Sequence, residues 1–363
     1  MSLKVVRARN LPIGVDLGSR MLKLAQLRQV DDQVVELLGA DGLELPAPVR
    51  SSLHDRLNFM ADGIRRMLAA DIFKGRQAIL SLPADATFVH HVRIPKLPPE
   101  QIPSAIQQEL SGKLPYSLDK AVVRTVIAGD VFGEGEPHQE VVVVAVAKQV
   151  LEQYLAMARR AKLDVVGVNI ESCAIVECFG RLFRRATDMA RTTLFVDIGS
   201  ASTQVVLAVG NHLSFVRNLA IGGDRLDQEL AEGLRISPDE ARLRRMELAD
   251  DKAAPQQVSE AYGFMERGLD SMVEQLTQCL RYYESVFRNQ SIERAIFVGG
   301  QAYDKRLCQT MAKRLNLPAQ VGDPLVRVQR SAGCENTVRI DSRVPQPGWA
   351  VAVGLSVGAT VAA

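Results

Sequence analysis

One five-residue pattern occurs twice in the chain, with only Leu exchanged for Ile: Val15-Asp16-Leu17-Gly18-Ser19 returns as Val196-Asp197-Ile198-Gly199-Ser200. Each copy has an apolar run before it, residues 11–15 and 193–196, and another after it, residues 22–27 and 203–209. Apolar runs of this length around an Asp-x-Gly-Ser turn read as β-hairpins. A repeat spaced by about half the chain predicts a duplicated domain, and 363 residues with 47% hydrophobic content suffice for two cores.

The hairpins also suggest a chemistry. A polyphosphate needs several backbone N–H groups converging on it, and a glycine in a tight turn lets the main chain come close with no Cβ in the way. Gly18 and Gly199 suit that role, with the hydroxyls of Ser19, Ser200 and Thr203 as further donors and Lys23 as a positive charge after the first turn. Asp16 and Asp197 beside a polyanion would repel it unless a cation intervened, so the pair implies Mg²⁺ held partly through its waters. Asp, Gly and Ser are common in turns of every kind. It is the second copy, in a matching strand context, that favours one polyphosphate with Mg²⁺ clamped between two halves.

A third strand, residues 295–298, ends in Gly299-Gly300 and leads into a helix over 304–315. In the first half a helix is expected over 53–70 and a strand over 77–82. Residues 87–162 have their own order of strand (87–94), helix (100–113), strands (122–128 and 140–147) and helix (148–161), which predicts a small inserted α+β subdomain. Pro98-Pro99 opens its first helix and Leu114-Pro115 closes it, because proline lacks a donor and fixes φ. Residues 129–139 are expected to be a mobile hairpin loop. Further on, Ser237-Pro238-Asp239-Glu240 is a capping box with proline at the first helical position. Residues 246–257 read as loop, 258–288 as one long or kinked helix, and 318–347 as loops with an edge strand. The predicted domains are 1–190, with the insert at about 84–162, and 191–363, with a helical subdomain at about 225–290.

Gly14-Val15-Asp16-Leu17-Gly18-Ser19 with Lys23, Phe195-Val196-Asp197-Ile198-Gly199-Ser200, and Phe297-Val298-Gly299-Gly300 resemble the two phosphate motifs and the adenosine motif of the actin, sugar-kinase and heat-shock-chaperone ATPases, in the same order. The resemblance implies an α/β, actin-like fold of two ribonuclease H-like domains. It implies a connecting helix at Asn169-Ile170-Glu171-Ser172, where Glu171 would position the attacking water. A first-turn Glu behind an Asn169 cap is also favourable to a helix with no catalysis at all. Gly222 and Gly223 resemble the glycines that touch the nucleotide at a helix start. Within that superfamily, Leu82-Pro83, Arg93-Ile94-Pro95-Lys96-Leu97-Pro98, Ala105-Ile106 with Glu109, Leu114-Pro115, and Phe215-Val216-Arg217 are similar, nearly end to end, to the PilM family of type IV pilus assembly proteins, relatives of cell-division protein FtsA. Two positions depart from that pattern. Arg20-Met21 stands where the turn is usually small or polar, and Gln275-Leu276-Thr277-Gln278-Cys279-Leu280 lacks the family's Glu and Arg, leaving Glu274 or Arg267 as substitutes for adenine or ribose contacts.

Several classes are excluded. A balance of 44 basic against 42 acidic residues gives no global field for nucleic acid. Five cysteines (173, 178, 279, 308 and 334) with no CxxC pair suit free thiols in a reducing compartment. His54, His90, His91, His138 and His212 never pair at zinc-ligand spacing, and His90 and His91 read as surface or partner-facing. The clusters Arg181, Arg184, Arg185 and Arg242, Arg244, Arg245 read as solvated helix faces. No window holds the about 18 consecutive apolar residues of a membrane span; residues 349–363 come nearest and read as a helix packed inside a domain. The charged N-terminal residues argue against export and for a cytoplasmic protein.

The resemblance to the PilM family therefore implies an ATP-binding adaptor, peripheral to the inner membrane through its partners and open to homo-oligomerisation. In a groove between the first domain and the insert it would hold the N-terminal tail of a PilN-like membrane protein, with slow or no ATP turnover. A small-molecule kinase with the same clamp would need a base, and none stands out beyond Glu171. An FtsA-like polymerising anchor would need a basic amphipathic tail helix that residues 349–363 do not supply.

Overall fold

The computed structural model describes residues 8–31, 34–131, 136–249, 253–288, 290–330, 340–341 and 343–358. The first lobe runs β1 (Arg9–Asn10), β2 (Ile13–Leu17), β3 (Met21–Gln29), β4 (Val35–Glu44), α1 (Ala47–Arg50), α2 (Leu53–Ala69) and β5 (Gln77–Leu82). The inserted strands and helix are β6 (Phe88–Pro95), α3 (Ile102–Leu110), β7 (Ala121–Val131) and β8 (His138–Ala147). The chain returns through α4 (Lys148–Arg160) to β9 (Asp164–Ile170), α5 (Glu171–Gly180) and α6 (Ala186–Met189). The second lobe holds β10 (Thr192–Ile198), β11 (Thr203–Val209), β12 (His212–Leu219), α7 (Gly223–Leu234), α8 (Pro238–Leu248), α9 (Pro255–Phe264), α10 (Glu266–Val286), β13 (Ile292–Val298), α11 (Lys305–Leu315) and β14 (Ala319–Val321). Then come β15 (Val328–Arg330) and α12 (Ala350–Gly358).

The duplication is visible in the strand order. One sheet reads β4-β3-β2-β5-β9 and the other β12-β11-β10-β13-β14. In each, an antiparallel meander is extended by two parallel strands laid beside its first strand. β15 adds in parallel to the outer edge of β4, and β1 pairs with β3. All five residues of β2 are buried, as expected for a strand whose sheet is covered on both faces. Met60 and Ile64 of α2 and Tyr154 and Met157 of α4 pack with Ile13, Val15 and Leu80 in the core on one side. α12 covers the other.

α12 makes that second cover by very close approach. A Cβ on Gly14 would lie 2.0 Å from the Ala352 carbonyl oxygen, and one on Gly354 would lie 1.8 Å from that of Ala174 in α5. Ser356 Oγ donates to the Pro12 carbonyl at 2.8 Å and accepts from the Leu27 N–H at 3.1 Å. The apolar run near residues 349–363 is thus a buried packing helix over 350–358, with 359–363 outside the described residues.

The insert's sheet, ordered β6-β8-β7, is covered on both faces. Val141 and Val143 pack under α3 with Ile102, Ile106 and Leu110, whereas Val142 belongs to the large core that includes Phe215 and Tyr283 of the second lobe. This corrects the expectation for His91, which is not on the surface. Its ring stacks on Phe215 at 4.7 Å between centroids and its Nε2 lies 3.1 Å from the Val216 carbonyl oxygen. Beside it Glu140, 1% exposed, accepts from the Tyr282 hydroxyl at 3.0 Å.

Other expectations shift locally. The helix foreseen over 258–288 is two, α9 and α10, meeting at Met265, and much of the 246–257 loop is helical, with 250–252 outside the described residues. Of the 129–139 loop, Gly129–Val131 and His138–Gln139 extend the strands, and 132–135 are not described. Within 318–347, where 331–339 and 342 are likewise outside, β14 and β15 are the edge pieces. Asn169 is not a helix cap: it is in β9, Ile170 takes the cap position, and the Asn169 side chain accepts from the Ile170 N–H. The capping box at Ser237 and Glu240 forms in full.

Candidate functional site

The two hairpin turns face each other across the cleft between the lobes. The cleft encloses about 1310 Å³, and its walls include Asp16, Gly18, Ser19 and Lys23 from the first lobe and Asp197, Gly199, Ser200, Gly299 and Gly300 from the second, with Glu171 between them. That volume exceeds the roughly 300–1,000 Å³ of ordinary ligand pockets.

Three carboxylates converge there, each held differently. Asp16, 4% exposed, is paired with Lys23, whose Nζ is 3.2 Å from Oδ2. Asp197 sits against the end of β13, where Gly299 adopts φ +90°. A Cβ at Gly299 would lie 2.2 Å from Asp197 Oδ1, so this glycine both takes the left-handed backbone and vacates the carboxylate's space. Glu171, the first residue of α5, accepts from the Gln204 amide, which in turn accepts from the Ser172 hydroxyl.

Crowding sets the electrostatics. Burial first, and then the charge of Asp16, push the Asp197 carboxyl up to about 6, against a smaller opposing pull from Lys23. Burial, and then Asp197 and Asp16, push Glu171 well above the usual carboxylate range. Carboxylates that raise each other's pKa in this way favour a cation among them. Among the described residues, no group of three or more His, Cys, Asp or Glu side chains forms a metal cage. Mg²⁺ characteristically takes one or two carboxylates and completes its shell with water and phosphate, and Asp16 and Asp197 fit that donor set.

Five predicted contacts are not in the cleft wall. Thr203 is fully buried and its hydroxyl donates to the Ile221 carbonyl at 2.7 Å, so it secures the approach to α7. Gly222 and Gly223 are packing glycines. The Gly223 N–H donates to the Gly199 carbonyl at 2.9 Å, and a Cβ on Gly222 would lie 2.5 Å from the Ser200 carbonyl oxygen. Arg267 and Glu274 of α10 do not line the cleft. Gln228 of α7 and Arg242, Arg245 and Met246 of α8 do. The second arginine cluster is therefore not simply a solvated face: Arg245 is 5% exposed, with Nε 2.8 Å from Asp227 Oδ1 and Nη2 2.7 Å from Gln301 Oε1.

Gln204 is the cleft residue that motif reading misses, and the repeat itself carries its signal. Lys23 follows Asp16 by the same interval as Gln204 follows Asp197, and each is the register partner of its aspartate.

Known proteins match along this whole framework. The sequence pattern described as type IV pilus assembly protein PilM matches residues 14–359. A solved PilM-PilN type IV pilus biogenesis complex superposes with TM-score 0.77 at 21% identity, covering 96% of this chain and 98% of that one. The ethanolamine utilization protein EutJ of Carboxydothermus hydrogenoformans gives 0.55 at 13% identity, over 98% and 91% of the two chains. MreB5 of Spiroplasma citri bound to ADP gives 0.53 at 11%, over 97% of each. The fold is that of the actin-like ATPases. The chain belongs to the PilM family of type IV pilus assembly proteins.

Proposed function

We propose that this pilus assembly protein binds ATP with Mg²⁺ in the interlobe cleft and acts as a cytoplasmic adaptor for a PilN-like inner-membrane partner. The observation that carries the nucleotide half is the convergence of Asp16, Glu171 and Asp197 between two glycine-containing turns. Gly18, Ser19, Lys23, Gly199 and Ser200 would surround the phosphates, Gly299 and Gly300 would flank the adenosine, and Asp16 and Asp197 would hold the ion. Bound Mg²⁺ would neutralise phosphate charge. Glu171, with one oxygen engaged by Gln204, would orient water for a slow hydrolysis. The division into a 1–190 domain with its 84–162 insert and a 191–363 domain belongs to the same proposal.

The partner would lie extended in a groove between the first lobe and the insert. β9, which follows the insert's return helix, supports this: it is the edge strand of the first sheet, with Val166 51% and Val168 39% exposed. An open edge carrying apolar side chains suits an extended peptide. No helix among the described residues is long and apolar enough to cross a membrane, so membrane attachment would come through that partner. The test is calorimetry with a PilN-type N-terminal peptide, with and without Mg-ATP. Binding that V166E/V168E removes supports the adaptor reading; no binding under either condition ends it.

A further inference from the structure

Arg20 is at the apex of the first hairpin, where the second hairpin has Ala201. Its carbonyl accepts from the Leu45 N–H at 2.8 Å, which fixes the backbone. The side chain, 11% exposed, crosses the cleft, and its Nη2 is 2.8 Å from Asp224 Oδ1 at the start of α7. Nη1 is 4.0 Å from Glu44 and 3.9 Å from Asp239, too far for hydrogen bonds. Those two carboxylates have cations of their own, Arg242 at 3.2 Å and Arg50 at 3.7 Å. Arg20 Nε and Nη1 are buried and have no hydrogen-bond partner among the described residues.

A guanidinium is a rigid fork of five N–H donors that matches anions with several oxygens. Here one arm is engaged, two buried nitrogens are not, and Arg20 is among the residues that line the cleft, as are Gly18, Ser19 and Ser200. Buried donors without acceptors are unfavourable, and a phosphate supplies enough oxygens to satisfy both at once. A lysine or a small residue at the same place would leave no such fork.

We propose that Arg20 reads the polyphosphate end of the nucleotide, exchanging Asp224 for phosphate oxygens. Asp224 is then the competitor that a nucleotide displaces, and the pair sets discrimination among ATP, ADP and AMP. This rests on the nucleotide reading given above. Because Asp224 is in α7 and Arg20 in the first lobe, the exchange also replaces an interlobe ion pair with a ligand-mediated one.

The test is titration calorimetry of Mg-ATP, Mg-ADP and AMP with wild type, R20M, D224N and R20M/D224N. R20M is expected to weaken Mg-ATP by about 10-fold to 100-fold and AMP far less. D224N is expected to tighten Mg-ATP by roughly 2-fold to 5-fold, an effect that vanishes in the R20M background. R20M losing equal affinity for all three nucleotides, or for none, would overturn the proposal. So would a D224N effect that persists without Arg20. If R20M fails to fold, D224N decides alone, and unchanged or weaker Mg-ATP binding counts against the exchange. Wild type that binds no Mg-ATP removes the nucleotide reading itself, which separates that failure from this one.

Discussion

Asp16 and Lys23 are register partners across the first hairpin, and their charged ends are 3.2 Å apart in a largely buried setting. The contact joins strand pairing to the proposed ion site: the same lysine that neutralises Asp16 would stand beside the phosphates. K23M leaves the carboxylate without its cation, and breaking a buried pair in this way costs about 3 kcal/mol. Urea unfolding should show that loss in K23M and its recovery in D16N/K23M, since two neutral groups leave no stranded charge. An equally unstable double variant would mean that Lys23 acts through packing.

Asp197 gives a pH dependence. Its carboxyl is pushed up to about 6 from an ordinary 3.8, so the folded chain binds a proton that the unfolded chain has released. Its contribution favours the fold at low pH and is lost as pH rises through about 6, with an upper size of about 3 kcal/mol. Denaturant melts at about pH 4.5 and about pH 7.5 should show D197N gaining stability relative to wild type at the higher pH. The same variant should bind Mg-ATP poorly, because the carboxylate that strains the unliganded fold is the one offered to the ion.

Thr203 separates support from contact. T203V keeps the shape but loses the bond to the Ile221 carbonyl, and an unsatisfied buried acceptor costs about 1 to 3 kcal/mol. The expected result is a lower melting temperature with Mg-ATP affinity close to wild type in the folded protein. A large loss of affinity at unchanged stability would restore the hydroxyl as a phosphate ligand.

Gly354 and Gly14 leave no room for a methyl group, since each new Cβ would enter a backbone carbonyl at 1.8 or 2.0 Å. G354A should express mainly as insoluble protein, whereas G263A, on the open side of α9 where a Cβ meets nothing within 4 Å, should remain soluble and fold. Equal solubility of the two would show that α12 can shift to accommodate side chains.

The sequence carries the hairpins plainly because motif, turn and apolar alternation are all local. β10, β11 and the insert's strands need no knowledge of what they pack against. β4 is harder: its VELLGADGLE contains two glycines and three acids, a composition that resembles loop until β3 is present to pair with it. Thr203 and Gln204 show a sharper limit. Neighbouring strand residues face opposite ways, so only one of them can enter the cleft, and the repeat's spacing from Asp197 would have chosen Gln204. Gly222 and Gly223 announce a close approach, but glycine alone does not say whether a ligand or the Ser200 carbonyl is approaching. Arg245 is legible only once Asp227 and Gln301, from α7 and the turn after β13, are brought beside it.

The position of α12 has a consequence for how the protein is made. Every strand of the first sheet except β15 lies within the first 170 residues to be translated, yet that sheet's second cover is residues 350–358. During synthesis the early lobe must wait, one face bare, for nearly the whole of the later lobe to be translated. The bare face is apolar and includes Gly14, which α12 approaches closely in the finished fold. It also follows that a shuffled gene carrying only the early half would inherit the hairpin of Asp16 without the means to cover it.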